Sequence, residues 1–574
     1  MSVAERAPAA PPDAPRRRPR WRPGFGAAVA ALAIGALALR VWGVRHGLPY
    51  VYNADENSHF VPRAIGMFGY SLNPGYFINP PAFTYVLHAA YAIRWGDDRE
   101  AVGTAFALDP SEAFTLARVA AAALGAAAVA LLAIAGARLV DRRTGQLAAA
   151  LLALAFLPVH YGHLALNDVP ALAPVALALV GVAGVYRTGR LREYALAGVG
   201  LGIGCATKYT AEIVLVPLLA AAAVSPAAGP AAARMRGLAL AGALAVGGFL
   251  LANPYALLDA RAFHDGLLKQ TETAGDEGGK LGLTQRSGYL YYPGTLTWGL
   301  GWLPSLAALG GAAGTLARDR RLAAILVPAP LLFLLYMGHQ SRFFARWLLP
   351  VYPLLCLLAA WAAVRAAAWL AARVRPAWGR AAWPAVVAAA LLCAQGLVLA
   401  VHNDVVLARR DTRQLARDWM VAHLPAGTKV VVEPVFPDQW AFDPGHPSPA
   451  TANGTRWIKW PTSRFHARPV KLEDYERTTR PSLVERYRRG GFCWVVTGST
   501  QYGRAFADPR AVPGAIRYYA ALRRAGDVVY RVSPLRGGAP VTGFSFDASF
   551  DYSPLRYVRP GPEIVIYRLR GCRA

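Results

Sequence analysis

Residues 51–68 read VYNADENSHFVPRAIGMF. Asp55, Glu56 and His59 fall within five positions, just after the first long apolar run of the chain. Charged side chains beside a bilayer are costly and are functional candidates unless packing explains them. On a helix, adjacent residues point about 100° apart, so the two carboxylates have different tasks. One can face a cavity while the other holds a backbone or an Arg. His59 follows Asp55 by four residues, on the same helical face, a spacing that suits a hydrogen bond or a shared metal. The structural alternative is a helix start, with Asn53 or Asp55 as cap and Glu56 in the first turn.

The surroundings of that stretch fix its setting. Of 574 residues, 55% are hydrophobic and only 17% charged, a composition outside the soluble range. Apolar runs predict about eleven membrane spans: 24–44, 112–138, 146–162, 169–186, 194–208, 210–225, 237–252, 296–316, 322–337, 347–371 and 382–402. The predicted class is a polytopic α-helical membrane protein with a C-terminal α/β domain. Three regions follow: a disordered basic segment at 1–23, a membrane domain at 24–403, and an outer domain at 404–574. The net charge of +27 rests mostly on Arg in short loops between apolar runs. That distribution argues for membrane topology and against a nucleic-acid partner.

Basic clusters recur at every second loop. RRRPRWR precedes the first span; DRR (141–143), RTGRLR (187–192), RMR (234–236), RDRR (318–321) and RVRPAWGR (373–380) follow. The positive-inside rule then puts the N-terminus in the cytoplasm of a plasma-membrane protein and the C-terminal domain outside. The loops at 45–111 and 253–295 face outward and are long, which marks function. Within the first, INPPAFTYVLHAAYAIR (78–94) places Phe83, Val86 and Leu87 at helical spacing, as an amphipathic interfacial helix would. Past residue 404, strands are predicted at 429–433 and within GGFCWVVTGS, DVVYRVSP and EIVIYRLR, alternating with helices. Five Cys make no metal motif; Cys493 and Cys572, both in the tail, leave a disulfide open.

Further polar residues gather at outward boundaries. Asp168, in HYGHLALNDVPALAP, opens a span with Pro170 behind it, and reads either as an N-cap or as a second acid. Lys208, in GLGIGCATKYTAEIVLVPLL, has Glu212 one turn later; it is a functional candidate inside a bilayer, unless the pair neutralises itself. GHQSRFFARWLLPVYPLL supplies His339, Arg342 and Arg346. The two Arg, four apart, are read as one helical face suited to phosphate oxygens, against a bland role in snorkelling to headgroups.

Taken together, ADENSH, YFINPPAFTYVLHAAY, LNDVP, GIGCATKYTAEIVLVP, SRFFARWLLPVYPLL and DTRQLARDWMVAHLPAGTKVVVEP resemble the GT-C fold glycosyltransferases that use polyprenyl-phosphate sugars. The nearest-looking branch contains protein O-mannosyltransferases and the aminoarabinose transferase of lipid A. The resemblance implies a glycosyltransferase that moves one hexosyl or pentosyl unit, with inversion, from a polyprenyl-phosphate donor to a hydroxyl acceptor on the outer face. The acceptor would be a protein, glycolipid or glycan. It maps catalytic acids onto Asp55, with Glu56 beside it, and onto Asp168; donor-phosphate cations map onto Lys208 and Arg342, joined by Arg346. His59, His339 and Asn79 are secondary. The donor substrate is the one bound group the resemblance implies; His59 departs from the family's pattern and leaves a divalent metal open, with Asp55 and His59 as its ligands. The alternatives are a polytopic transporter and a non-catalytic cell-envelope scaffold.

Overall fold

A computed structural model describes residues 23–69, 71–274, 281–282, 287–373, 383–461, 475–547 and 552–573. The basic segment at 1–23 lies outside them except for Pro23, as does most of the Arg-rich loop at 373–380. Helix occupies each of the eleven expected spans. Among the described residues, seven helices are long and apolar enough to cross a membrane, or eight if the bent pair Arg142–Leu154 and Phe156–His163 is one span. Leu172–Thr188 and Tyr209–Val224 are shorter apolar helices. The former is buried along nearly all of its length, so its hydrophobicity serves the bundle's centre.

Small residues set the helix spacing. The helix Leu191–Thr207 carries Gly198 and Gly202 on one face, against the helix Ala231–Ala252. A Cβ at Gly198 would stand 2.3 Å from Ala241 O, and one at Gly202 only 2.1 Å from Ala245 O. Between membrane helices such close approach replaces the hydrophobic driving force available in water. The same packing fixes the helix's C-terminal end, where Lys208 is the cap residue.

The segment at 78–94 is helical only from Ala82 to Trp95, starting after Pro81. Its buried face is Phe83, Thr84, Leu87 and Tyr91, whereas Val86 is 44% exposed. Val86 therefore lies off the face that the spacing assigned to it.

The last apolar helix runs from Trp383 to Leu407. Beyond it, the helix Thr412–His423 opens on a capping box between Asp411 and Gln414. Five strands follow: β1 (Lys429–Val432), β2 (Ile458–Lys459), β3 (Trp494–Gly498), β4 (Gly526–Val532) and β5 (Ile564–Leu569). Their order is β2-β1-β3-β5-β4. β1 runs parallel to β2 and β3, and β5 runs antiparallel to β3 and β4. Side chains alternate across the sheet. Val431, Val495 and Val565 meet Tyr518, Tyr519 and Leu522 on one face. Val430, Val496 and Ile566 meet Met420, Trp440 and Trp457 on the other, where Tyr50 of the first loop joins them. Cys493 and Cys572 form a disulfide across 79 residues, tying β3's start to the end of the chain.

The junction with the membrane part is polar as well as apolar. Asn57 and Gln439 exchange two amide hydrogen bonds, at 3.1 and 3.2 Å. Gln414 donates to Gly47 O and Leu48 O, and the Arg413 guanidinium lies 3.7 Å from the Tyr52 ring centroid.

Glu433, fully buried at the end of β1, accepts from Tyr519 Oη at 2.7 Å and from the Gly498 N–H at 2.8 Å. Burial pushes its carboxyl up from 4.5 to about 8, against the pull of those two donors. Between those values the folded protein binds a proton that the unfolded chain releases, so folding stability falls as pH rises. The contribution is complete below 4.5 and is lost on passing 8. We expect the melting temperature to decline across this window and the Glu433→Gln variant to flatten the decline. Parallel profiles for the two proteins would contradict the assignment.

Candidate active site

Within residues 51–68 the chain first forms the short helix Ala54–Ser58. Asn53 is its cap, with Oδ1 accepting from the Asp55 and Glu56 N–H groups at 3.1 Å each. Starting the helix there sends the next two carboxylates to different places. Glu56 turns inward and is 0% exposed. It takes a bidentate fork from Arg118, at 2.7 and 2.8 Å, and the Ala165 N–H at 2.9 Å. Arg118 also donates to Val44 O and His46 O. Both Glu56 oxygens are thus engaged, and the pair clamps three loops together. Its place is that of an anchor, not of a group that meets an acceptor. The cap reading and the two-task reading of this stretch both describe it.

Asp55 turns the other way, its side chain 36% exposed. Arg346 Nη2 donates to its Oδ2 at 2.5 Å. The Arg346 Nε stands 3.8 Å from Asp168 Oδ2, and Lys208 Nζ donates to Asp168 Oδ1 at 2.6 Å. Asp55, Arg346, Asp168 and Lys208 thus form a row of alternating charge. Asp168, Lys208 and Arg346 are all under 10% exposed. Buried charges of this kind persist where each is paired. Arg346 also lies 4.7 Å from the Phe344 ring centroid and 5.7 Å from that of Tyr161, a cation–π cradle. Lys208 pairs with Asp168 rather than with Glu212, which is exposed.

His59 Nδ1 is 3.9 Å from Asp55 Oδ1. Its ring stacks on Tyr76, with centroids 5.1 Å apart, and Asn79 Nδ2 donates to the Tyr76 hydroxyl. Asn79 is therefore linked to Asp55 through two rings. Burial lowers the His59 imidazole below its usual value, opposed by Asp55 and helped by the cations Arg346 and Arg63. Among the described residues, no three His, Cys, Asp or Glu side chains gather as metal ligands do. His59 and Asp55 supply two donors of such a set.

Arg342 departs from expectation. The chain is irregular from Gln340 to Phe344 and then forms a 3-10 turn, Ala345–Val351, around Pro350. Arg342 and Arg346 do not share a helical face. Their guanidinium groups instead approach one ring, Phe344, Arg342 at 5.5 Å. Phe344 is extended (φ −140°, ψ 136°), which breaks the spacing the sequence implied. His339 closes the helix Pro328–His339 and is exposed.

Arg118 was not singled out in the sequence, although a signal exists. It is an Arg inside a 29-residue apolar helix, and a buried Glu needs such a partner. The wall opposite Asp55 also escaped notice. A cavity of about 480 Å³ lies between the first loop and the C-terminal domain. Asn53, Asp55 and Asn57 line one side, and Asp438, Gln501 and Arg504 contribute to the other.

Three comparisons bear on this arrangement. The sequence model of a family described as dolichyl-phosphate-mannose-protein mannosyltransferase matches residues 103–251. That segment includes Asp168 and Lys208 and leaves out Asp55 and Arg346. No curated protein matches the chain in sequence. Among solved structures, the apo oligosaccharyltransferase of Archaeoglobus fulgidus aligns with a TM-score of 0.50 at 14% identity, over 89% of this chain and 73% of that one. Apo ArnT from Cupriavidus metallidurans aligns with a TM-score of 0.49 at 14% identity, over 95% and 98%. The resemblance read from the sequence holds at the level of fold: this is a multi-span membrane protein with the GT-C architecture and a small sheet in its C-terminal region.

The two neighbouring acids should separate in a stability measurement. Glu56→Ala strands a buried guanidinium, at a cost of roughly 3–5 kcal/mol, and should show as a large drop in the melting temperature of detergent-purified protein. Asp55→Asn keeps an acceptor oxygen for Arg346, which Asp168 still faces, and should lose clearly less than Glu56→Ala. Equal losses would contradict the division of labour.

Proposed function

We propose that the protein is a glycosyltransferase that moves one sugar from a polyprenyl-phosphate donor to a hydroxyl acceptor, with inversion and with Asp55 as general base. The observation that carries this reading is the row Asp55–Arg346–Asp168–Lys208, drawn from four distant segments, whose end residue Asp55 lines a cavity. The matched family's description names a lipid-phosphate sugar as donor, and supports the same class here.

The chemistry follows from the arrangement. The acceptor oxygen attacks the anomeric carbon on the side opposite the phosphate. The new C–O bond forms as the old one breaks, and the electron pair leaves with the lipid phosphate. Fixed cations placed where that charge develops lower the barrier. Arg346 and Lys208 are such cations, and Phe344 and Tyr161 hold the guanidinium in place. The hydroxyl proton passes to Asp55, a contribution of the order of 10²–10⁴ in rate for a positioned base. In the free protein one Asp55 oxygen is occupied by Arg346. A phosphate competing for Arg346 frees that oxygen, so donor binding prepares the base. Asp168 positions Lys208 and Arg346 between two turns, and Glu56 holds the base's helix through Arg118. His59 borders Asp55 from the loop side.

Recurrent basic loops support a cytoplasmic N-terminus at the plasma membrane. The disulfide in the C-terminal domain supports an oxidising, extracytoplasmic setting for it. The donor sugar is a hexose or pentose, and the acceptor bears a free hydroxyl.

The test uses purified protein in nanodiscs with a panel of polyprenyl-phosphate sugars, reading release of the lipid phosphate. Wild type should turn over at least one donor. Asp55→Asn should lower kcat by about 10²–10⁴, and Arg346→Gln by about 10²–10³. A wild type inert toward the whole panel, or an Asp55→Asn variant as active as wild type, would refute the reading.

A further inference from the structure

Behind the rings that hold Arg346 lies a side chain from the far end of the sequence. Phe344 is buried, and its ring packs on Trp347 of its own 3-10 turn, at 5.2 Å between centroids, and on Phe546 of the C-terminal domain, at 5.8 Å. Phe546 is itself buried, and it belongs to the apolar core of the membrane bundle rather than to either face of the sheet. Its neighbours in sequence explain how it gets there. Phe544 and Ser545 line the large cavity. Asp547 Oδ1 accepts from Tyr291 Oη at 2.7 Å, on the helix Gly288–Leu296. Tyr552 stacks on Trp298, with centroids 5.0 Å and planes 15° apart, and meets Phe156 at 5.0 Å. A space of only about 10 Å³ remains where Phe546, Asp547 and Tyr552 meet the two cradle rings, Phe344 and Tyr161, room for one water at most. Packing this close passes a change at Phe546 on to Phe344.

We propose that Phe546 is a positioning residue for Arg346, acting through the Phe344 ring. This rests on the reading in which Arg346 receives the donor phosphate. A guanidinium over a ring is attracted by the ring's quadrupole, so its direction follows the ring. In the free protein Asp55 and Asp168 also fix Arg346. Once a phosphate draws Arg346 away from Asp55, one of those carboxylates lets go, and the rings hold more of the group. Phe344 is the nearer ring, at 4.7 Å against 5.7 Å for Tyr161. Its backbone gives it little support, since Phe344 is extended and the chain from Gln340 to it is irregular. Rigidity has to come from packing, and Phe546 is a ring from outside the segment that packs on it. A docking contact alone would not need a ring at this place. The junction is already tied by the Asn57–Gln439 amide pair and by Gln414, away from the cradle. The domain that walls the cavity is thus also part of the donor site: Phe544 and Ser545 face the cavity while Phe546 backs the cation.

The experiment measures binding of two lipids to the full-length protein in nanodiscs. Decaprenyl phosphate and decaprenol share a chain and differ in the phosphate. Arg346→Gln should weaken binding of the phosphate and spare the alcohol. Phe546→Ala should weaken decaprenyl phosphate by about tenfold, and Phe546→Leu, which keeps most of the volume, by about threefold. Decaprenol binding should be unchanged in both. In the Arg346→Gln background the Phe546 substitutions should add nothing, as expected of residues acting on one contact. Gln439→Ala, which loosens the junction away from the cradle, should bind both lipids as wild type does. Where Phe546→Ala fails to fold, Phe546→Leu carries the test. Unchanged phosphate binding in Phe546→Leu, an equal loss of decaprenol, a full effect in the Arg346→Gln background, or the same loss in Gln439→Ala would each overturn the proposal. The two readings fail in different arms. An Arg346→Gln variant that binds decaprenyl phosphate like wild type sinks the cation reading and this one with it. A phosphate-selective loss in Arg346→Gln, with Phe546→Leu unchanged, sinks the positioning role alone.

Discussion

Arg346 reaches Asp55 across 291 positions of sequence, at 2.5 Å, and this contact organises the end of the membrane bundle that meets the C-terminal domain. A buried guanidinium cannot shed its charge, so it must be paired. Asp55 and Asp168 flank it, and Lys208 completes the neutral set. The constraint is geometric as much as electrostatic. Four segments near the ends of membrane helices have to meet at one level for the row to form. Each is placed by a local cause: the Asn53 cap, the turn that precedes Leu172–Thr188, the end of a glycine-packed helix at Lys208, and the 3-10 turn around Pro350.

Behind the row lies a second pair with a different character. Glu56 and Arg118 are shut away from solvent, and every strong donor and acceptor between them is used. Such a pair adds little net stability over an apolar packing, but it specifies one arrangement of the loops it joins. The exposed acid of the doublet can thus be spared for chemistry. The C-terminal domain adds the opposite wall, docking through Tyr50, Asn57 and Gln414 contacts onto the same loop. The cavity exists only because the two parts meet there.

Much of this was legible in the sequence, for identifiable reasons. Apolar runs of span length became helices because a bilayer leaves the backbone few other choices. The strands at 429–432, 494–498, 526–532 and 564–569 were visible as β-branched clusters between turn residues. β2 was not, since two residues carry no periodicity. Asp55, Asp168, Lys208 and Arg342, with Arg346 beside it, were read as meeting at one outer mouth; the pairing of Asp55 with Arg346 and of Asp168 with Lys208 was not anticipated. Lys208 has Glu212 one turn away in sequence, yet it bonds Asp168, because the helix ends at Thr207 and the chain changes direction. Arg342 and Arg346 looked like one face, and the extended Phe344 separates them. Val86 belonged by spacing to a face it does not join. Phe546 gave no signal at all, since one ring in a soluble-looking tail becomes notable only when it is found inside the bundle.

The central claim is that the lipid phosphate takes over the cations that now hold Asp55. It is tested most directly by a structure of the full-length protein in nanodiscs with a polyprenyl phosphate bound. We expect phosphate oxygens at about 2.7–3.2 Å from Arg346 and Lys208, with the Asp55 carboxylate released from Arg346 and turned to the cavity. A phosphate bound elsewhere, with the contact between Asp55 and Arg346 intact, would contradict it.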